Sequence, residues 1–215
     1  MALTFPLSLA AFANQIGVSS VKWLLQDNRQ YSGMGSGQII QQDLAPQLWT
    51  GDVTLREYYH ADARRLEAKL NSVIRSAGTF YLFDPRVTGP YEDRKGTILG
   101  ASTVRINSLP DAKSMSFKGL PAGYILTEGD YLAFDYGSPA RRAFHEVAER
   151  VVANGSGVTP AFEVNPFIRP GAATDLIVTL IEPAMKCMIR PGTLDVGSTG
   201  NTVTTQIGFS VVQKL

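Results

Sequence analysis

The sequence is short of the residues on which covalent chemistry, cross-linking and charge-driven binding usually rest. It holds one cysteine, Cys187, and two histidines, His60 and His145. A lone cysteine forms no internal disulfide, so the fold does not depend on an oxidising compartment. Met185, Lys186 and Met188 surround it in a strand-like run, which predicts a packed thiol rather than a nucleophile. Zinc needs clustered ligands at characteristic spacing, and one cysteine with two distant histidines does not supply them.

Charge of one sign is also missing. Twenty Lys and Arg face nineteen Asp and Glu, a net charge of +1. Without a basic excess there is no long-range field to gather nucleic acid or an anionic membrane. Charged residues make up 18% of the chain, below the ~25% typical of soluble domains, so some surface is expected to be buried against other chains. No apolar run approaches the ~18 to 20 residues of a spanning helix, and no membrane insertion is expected. Leu3 to Ala13 is apolar and ends in A-F-A like a cleavage site. It lacks a positive leading segment and contains Pro6, so it reads as mature sequence.

Nucleophile signatures are lacking as well. The nearest approach to a serine elbow, Gly33-Met34-Gly35-Ser36-Gly37, is not G-x-S-x-G and opens no strand-to-helix turn. Glu128, Asp130 and Asp135 are close in sequence, but a Glu128-Gly129-Asp130 turn explains two of them. The reading is therefore a protein that is not an enzyme, with no catalytic residue, cofactor or metal.

What the sequence does contain is β patterning. Glycines 33, 35 and 37 at alternate positions predict one bare strand face within Tyr31 to Gln41. Pro46 to Tyr59, rich in Trp, Val, Thr and Tyr, is expected to pair with it, with Gly51-Asp52 as a bulge or turn. From residue 62 the period changes: Leu66, Leu70, Val73 and Ile74 fall on one helical face, which predicts a helix over 62–77. Asp62 would cap its start and Gly78 would take the left-handed conformation at its end.

Residues 87 to 98, rich in Gly, Pro and charge, read as an exposed connection. Beyond it, short β-like segments alternate with turns at Pro110-Asp111, Pro121-Ala122-Gly123 and Asn154-Gly155, the spacing of a small barrel or sandwich. Thr202 to Gln213 alternates as one strand, with Val203, Ile207, Phe209 and Val211 on one side. The expected organisation is a split domain of residues 1–86 and 172–215, with residues 87–171 inserted as a β-barrel or sandwich.

Several segments carry a resemblance. These are Gly119-Leu120-Pro121-Ala122-Gly123, then L-T-E-G-D-Y-L from Leu126, V-A-E-R-V-V-A-N-G-S-G from Val147, and Glu163-Val164-Asn165-Pro166 with Arg169-Pro170. Before them come a glycine-rich strand, an aromatic strand, the helix around Ala63 to Ser76 and F-Y-L-F-D-P from Phe80. This order, over roughly residues 30 to 170, resembles the distal tail proteins of long-tailed non-contractile bacteriophages.

The resemblance implies a tail-tube-like β-sandwich flanked by one helix, plus an additional β domain. It implies a six-fold ring that joins the tail tube protein to the hub protein of the baseplate, with DNA passing only through its opening. Such a protein is made in the bacterial host cytoplasm and ends in the virion tail. Tail-completion and other minor tail proteins reuse similar β modules and remain an alternative.

Two groups of residues follow as candidates for contact. Phe5, Leu7, Leu9 and Phe12 would form an arm, within Met1 to Ile16, that clasps a neighbouring subunit. In the alternative reading, a carbohydrate-binding module for host-surface attachment, Tyr124, Tyr131 and Tyr136 near turns would stack on a host cell-surface glycan.

Overall fold

The computed structural model describes residues 4–215. Met1 to Leu3, the start of the expected arm, lie outside the described residues. The described residues are mainly β with one α-helix, arranged as a half-barrel and a nearly closed barrel. In chain order come β1 (Val18–Leu25), β2 (Arg29–Gly33), β3 (Ile39–Asp43), β4 (Trp49–Leu55) and β5 (Tyr58–Tyr59). The helix α1 (His60–Arg75) and β6 (Phe80–Leu82) follow. Next are β7 (Arg105–Ser108), β8 (Ser114–Lys118), β9 (Ile125–Leu126), β10 (Tyr131–Tyr136), β11 (Arg141–Val147), β12 (Val151–Val152) and β13 (Phe162–Asn165). The last are β14 (Val178–Thr179), β15 (Met185–Ile189), β16 (Ser198–Thr199), β17 (Val203–Thr205) and β18 (Gly208–Gln213).

The helix lies two residues earlier than the spacing predicts. Ala63, Leu66, Leu70 and Val73 are buried on the face turned to the sheet, whereas Ile74 is exposed. Tyr59 occupies the N-cap position without a side-chain bond, so Asp62 caps nothing and instead faces Arg65 at 3.5 Å. At the other end Ala77, with φ of 46°, takes the left-handed conformation expected of Gly78. The Gly78 N–H then donates to the Val73 carbonyl at 2.9 Å, closing the last turn. Gly78 is required for a different reason: a Cβ there would stand 2.1 Å from Cε1 of Phe5.

The half-barrel is a five-stranded sheet in the order β1-β4-β18-β15-β6, drawn from both ends of the chain. Phe12, Phe80, Phe209, Val211 and the buried face of α1 fill its core. Each fully buried aromatic side chain contributes ~1.5–3 kcal/mol. The expected partner of β4 is corrected here, because β4 lies between β1 and β18 and not beside the glycine-rich segment. Gly51 is neither bulge nor turn; it sits in regular register opposite Trp23, where an added Cβ would be 2.5 Å from the indole. The bare position lets the ring lie across the strand. The predicted single strand over 202–213 is two, β17 and β18, broken where Gln206 adopts a φ of 61°.

The second sheet runs β14-β10-β11-β13-β8-β7. An isolated bridge between Arg105 and Ile177 brings β7 back towards β14 and nearly closes the barrel. Val178 and Leu180 therefore belong to the barrel core, beyond residue 171. The segment 87–98 is a folded cap rather than an open connection. It forms a short 3-10 turn at Tyr91–Asp93 whose buried Asp93 carboxylate accepts bonds from the N–H groups of Ile98 and Leu99 and from the Tyr124 hydroxyl.

Candidate functional site

The most exposed element of the fold grows out of the pairing between β1 and β4. That ladder ends at Leu25 opposite Trp49, and the Gln26 N–H still donates to the Leu48 carbonyl at 2.8 Å. The two chains then continue as β2 and β3, paired from Arg29 opposite Asp43 to Gly33 opposite Ile39. Every residue of both strands is exposed. The glycine-rich segment is thus a hairpin with its turn at 34–38, not a continuous strand. Gly37 has a φ of 81°, and its N–H donates to the Met34 carbonyl at 2.9 Å. Alternate glycines serve a tight turn here, not a bare face.

The base of this ribbon is held by charge. Arg29 Nε donates to Asp43 Oδ1 at 2.9 Å, and Asp27 accepts from the Arg29 N–H and the Tyr31 hydroxyl. The Tyr31 bond holds the Asp27 carboxyl below its ordinary value, and Asp43 raises Arg29. Cross-strand partners share a face, so Tyr31 and Ile39 lie on one side of the ribbon and Ile40 on the other. Leu24, Tyr31, Met34, Ile39, Ile40 and Leu44 leave between 49 and 69% of their surface uncovered. A two-stranded ribbon with apolar side chains on both faces and no layer against it is marginal alone, and its free edges and apolar surface are suited to another chain.

The other predicted contact residues are placed elsewhere. Leu7 and Phe12 are buried in the chain's own core, with Phe5 and Leu9 packed against it. The Leu7 N–H donates to the Thr79 carbonyl, Leu7 forms a parallel bridge with Phe80, and the Phe12 and Phe80 rings stand 4.4 Å apart. The arm therefore covers the β6 edge of its own sheet, and Leu7 and Phe12 are taken up in its core, while Phe5 and Leu9 are only partly buried.

Two of the three tyrosines are corrected in the same way, and Tyr131 is partly buried. Tyr124 and Tyr136 are each only 3% exposed, so neither ring can stack on a sugar. Tyr131 is stacked on Phe144 with centroids 5.0 Å apart, and burial pushes its hydroxyl up to about 12. Tyr131 and Phe144 meet Trp23 and Trp49 in an aromatic seam between half-barrel and barrel. Trp49 Nε1 donates to the Phe144 carbonyl at 3.0 Å across that seam.

His145 is buried, stacked at 5.6 Å on Phe134, and its Nδ1 lies 2.9 Å from the Pro166 carbonyl. Burial pushes it down to about 4. His60, first residue of α1, places Nδ1 3.1 Å from Thr204 Oγ1. Cys187 is fully buried, and burial drives its thiol well above the ordinary value. Among the described residues no group of three or more His, Cys, Asp or Glu is arranged to hold a metal ion, and no helix is long and apolar enough to cross a membrane. No protein-family model and no curated protein matches this chain.

Proposed function

We propose that the protein is a structural subunit that assembles with copies of itself into a six-fold ring, as a component of a bacteriophage tail tip of the distal-tail kind. The observation that carries this reading is the β2–β3 ribbon, which exposes apolar side chains on both faces and buries none of them in its own chain. A ring is built from heterologous contacts, in which one surface of each subunit meets a different surface of the next. The β6 edge is covered by the chain's own arm, whereas the ribbon and the β1 edge it continues offer strand edges for such a contact. The order of elements that resembles distal tail proteins, half-barrel with flanking helix and an added barrel, supports the same reading by analogy. In this role the ring joins the tail tube protein to the hub, and DNA passes through its opening without specific contact.

Negative-stain imaging of the largest species of the purified protein tests the reading. Closed rings with six-fold symmetry and a central opening are expected. Isolated particles of single-chain size, or open filaments, would contradict it.

A further inference from the structure

A cleft of about 730 Å³ opens between the base of the ribbon and the barrel segment that follows β13. We propose that it binds an extended acidic segment of a partner protein, with apolar side chains alternating with carboxylates. Leu44 and Pro46 line one side of the cleft; Pro166 and Phe167 line the other. Leu44 is 66% and Phe167 67% exposed, so both offer apolar surface that none of the described residues covers. Arg29, Arg141 and Arg169 also line it, against one carboxylate, Asp43, which is paired with Arg29. Arg141 and Arg169 have no ion-pair partner among the described residues. The cleft is therefore an apolar slot with two unneutralised guanidinium groups, which favour planar bidentate carboxylates.

Its two sides are held together before any ligand arrives. Arg169 Nη2 donates to the Gln47 carbonyl at 3.0 Å, tying the barrel segment to the chain that enters β4. A fixed cleft loses little conformational freedom on binding. Its volume falls within the about 300–1,000 Å³ usual for ligand clefts.

An extended peptide puts successive side chains on opposite faces. One face can then cover Phe167 and Leu44 while the other presents carboxylates to Arg141 and Arg169. A small inorganic anion would satisfy the arginines and leave the apolar sides wet. Nucleic acid is disfavoured because the chain as a whole has a net charge of only +1. The occupant is not a second copy of this chain. Its only pair of acids two residues apart is Glu128 and Asp130, and Asp130 is buried, accepting bonds from the N–H groups of Thr127 and Tyr91.

The test is fluorescence anisotropy with the full chain and a dye-labelled peptide that alternates Glu and Leu, beside a Gln–Leu peptide and a single-stranded oligonucleotide. The Glu–Leu peptide is expected to bind at least about tenfold more tightly than the other two, and less tightly as salt rises. Arg141→Gln and Phe167→Ser each alter an exposed side chain, and each is expected to weaken binding about tenfold with no change in melting temperature. Equal binding of the Gln–Leu peptide, tighter binding of the oligonucleotide, no binding at all, or binding that both variants leave intact would each overturn the proposal.

Discussion

Trp49 on β4 and Phe144 on β11 lie 95 positions apart in sequence, yet the indole Nε1 of the first donates to the main-chain carbonyl of the second at 3.0 Å. The rings of the same two residues meet edge to face, with centroids 5.7 Å apart. One residue thus contributes both a polar and an apolar contact to the seam between half-barrel and barrel. Trp49→Phe keeps most of the ring and leaves the Phe144 carbonyl without its buried donor. The expected cost is about 1–3 kcal/mol. For a chain of this size that is a fall of about 2–4 °C in Tm per kcal/mol, read by differential scanning calorimetry.

Gly51 and Trp23 form a second coupled pair. A Cβ at position 51 would stand 2.5 Å from the indole of Trp23, so Gly51→Ala forces the ring out of its place. Overpacking of this kind costs about 1–3 kcal/mol. In a Trp23→Ala background the same substitution is expected to be nearly neutral. Urea unfolding of the four proteins in the cycle checks this, and a coupling below about 0.5 kcal/mol would contradict it.

His145 predicts the acid limb of stability. Burial lowers its folded value to about 4, from an ordinary value of 6.5. Between these two values the unfolded chain binds the proton and the folded chain does not, so stability falls as pH drops from about 6.5 towards 4. Over the whole window the loss is about 3 kcal/mol. Burial raises the carboxyls of Asp130 and Glu146, and these slope the other way. The difference between wild type and His145→Phe therefore isolates the histidine. Chemical denaturation at pH 7.5 and pH 4.5 should show a smaller drop in the variant, and equal drops would count against the assignment.

The parts of the fold legible in the sequence are those set by local period. The spacing of Leu66, Leu70 and Val73 locates the helix to within two residues, and β propensity with regular turns identifies a mainly β chain. What depends on distant partners was not legible. Ala77 adopts the left-handed conformation while Gly78 makes room for Phe5, a contact across more than seventy residues. A period-two glycine pattern reads equally as a strand face or as a hairpin turn, and only the pairing of Gly33 with Ile39 decides for the turn. Aromatic residues beside turns look available to ligand, but Tyr124 points inward because Asp93 accepts its hydroxyl. The exposure of the ribbon carries no local signal, since Tyr31, Ile39 and Ile40 look like core residues until the sheet order shows that nothing covers them. The cleft is assembled from four separate segments, and no spacing in the sequence announces it.

Self-assembly through the ribbon is tested most directly by sedimentation velocity of the full chain over a range of concentrations, beside a variant carrying Ile39→Asp and Ile40→Asp. Both side chains are exposed in the single chain, so the variant should keep the melting temperature of the wild type. The wild type is expected to reach about 140 kDa, six copies of the 23.3 kDa chain, while the variant stays at 23.3 kDa. A wild type that remains monomeric at every concentration, or a variant that assembles equally well, would contradict the account.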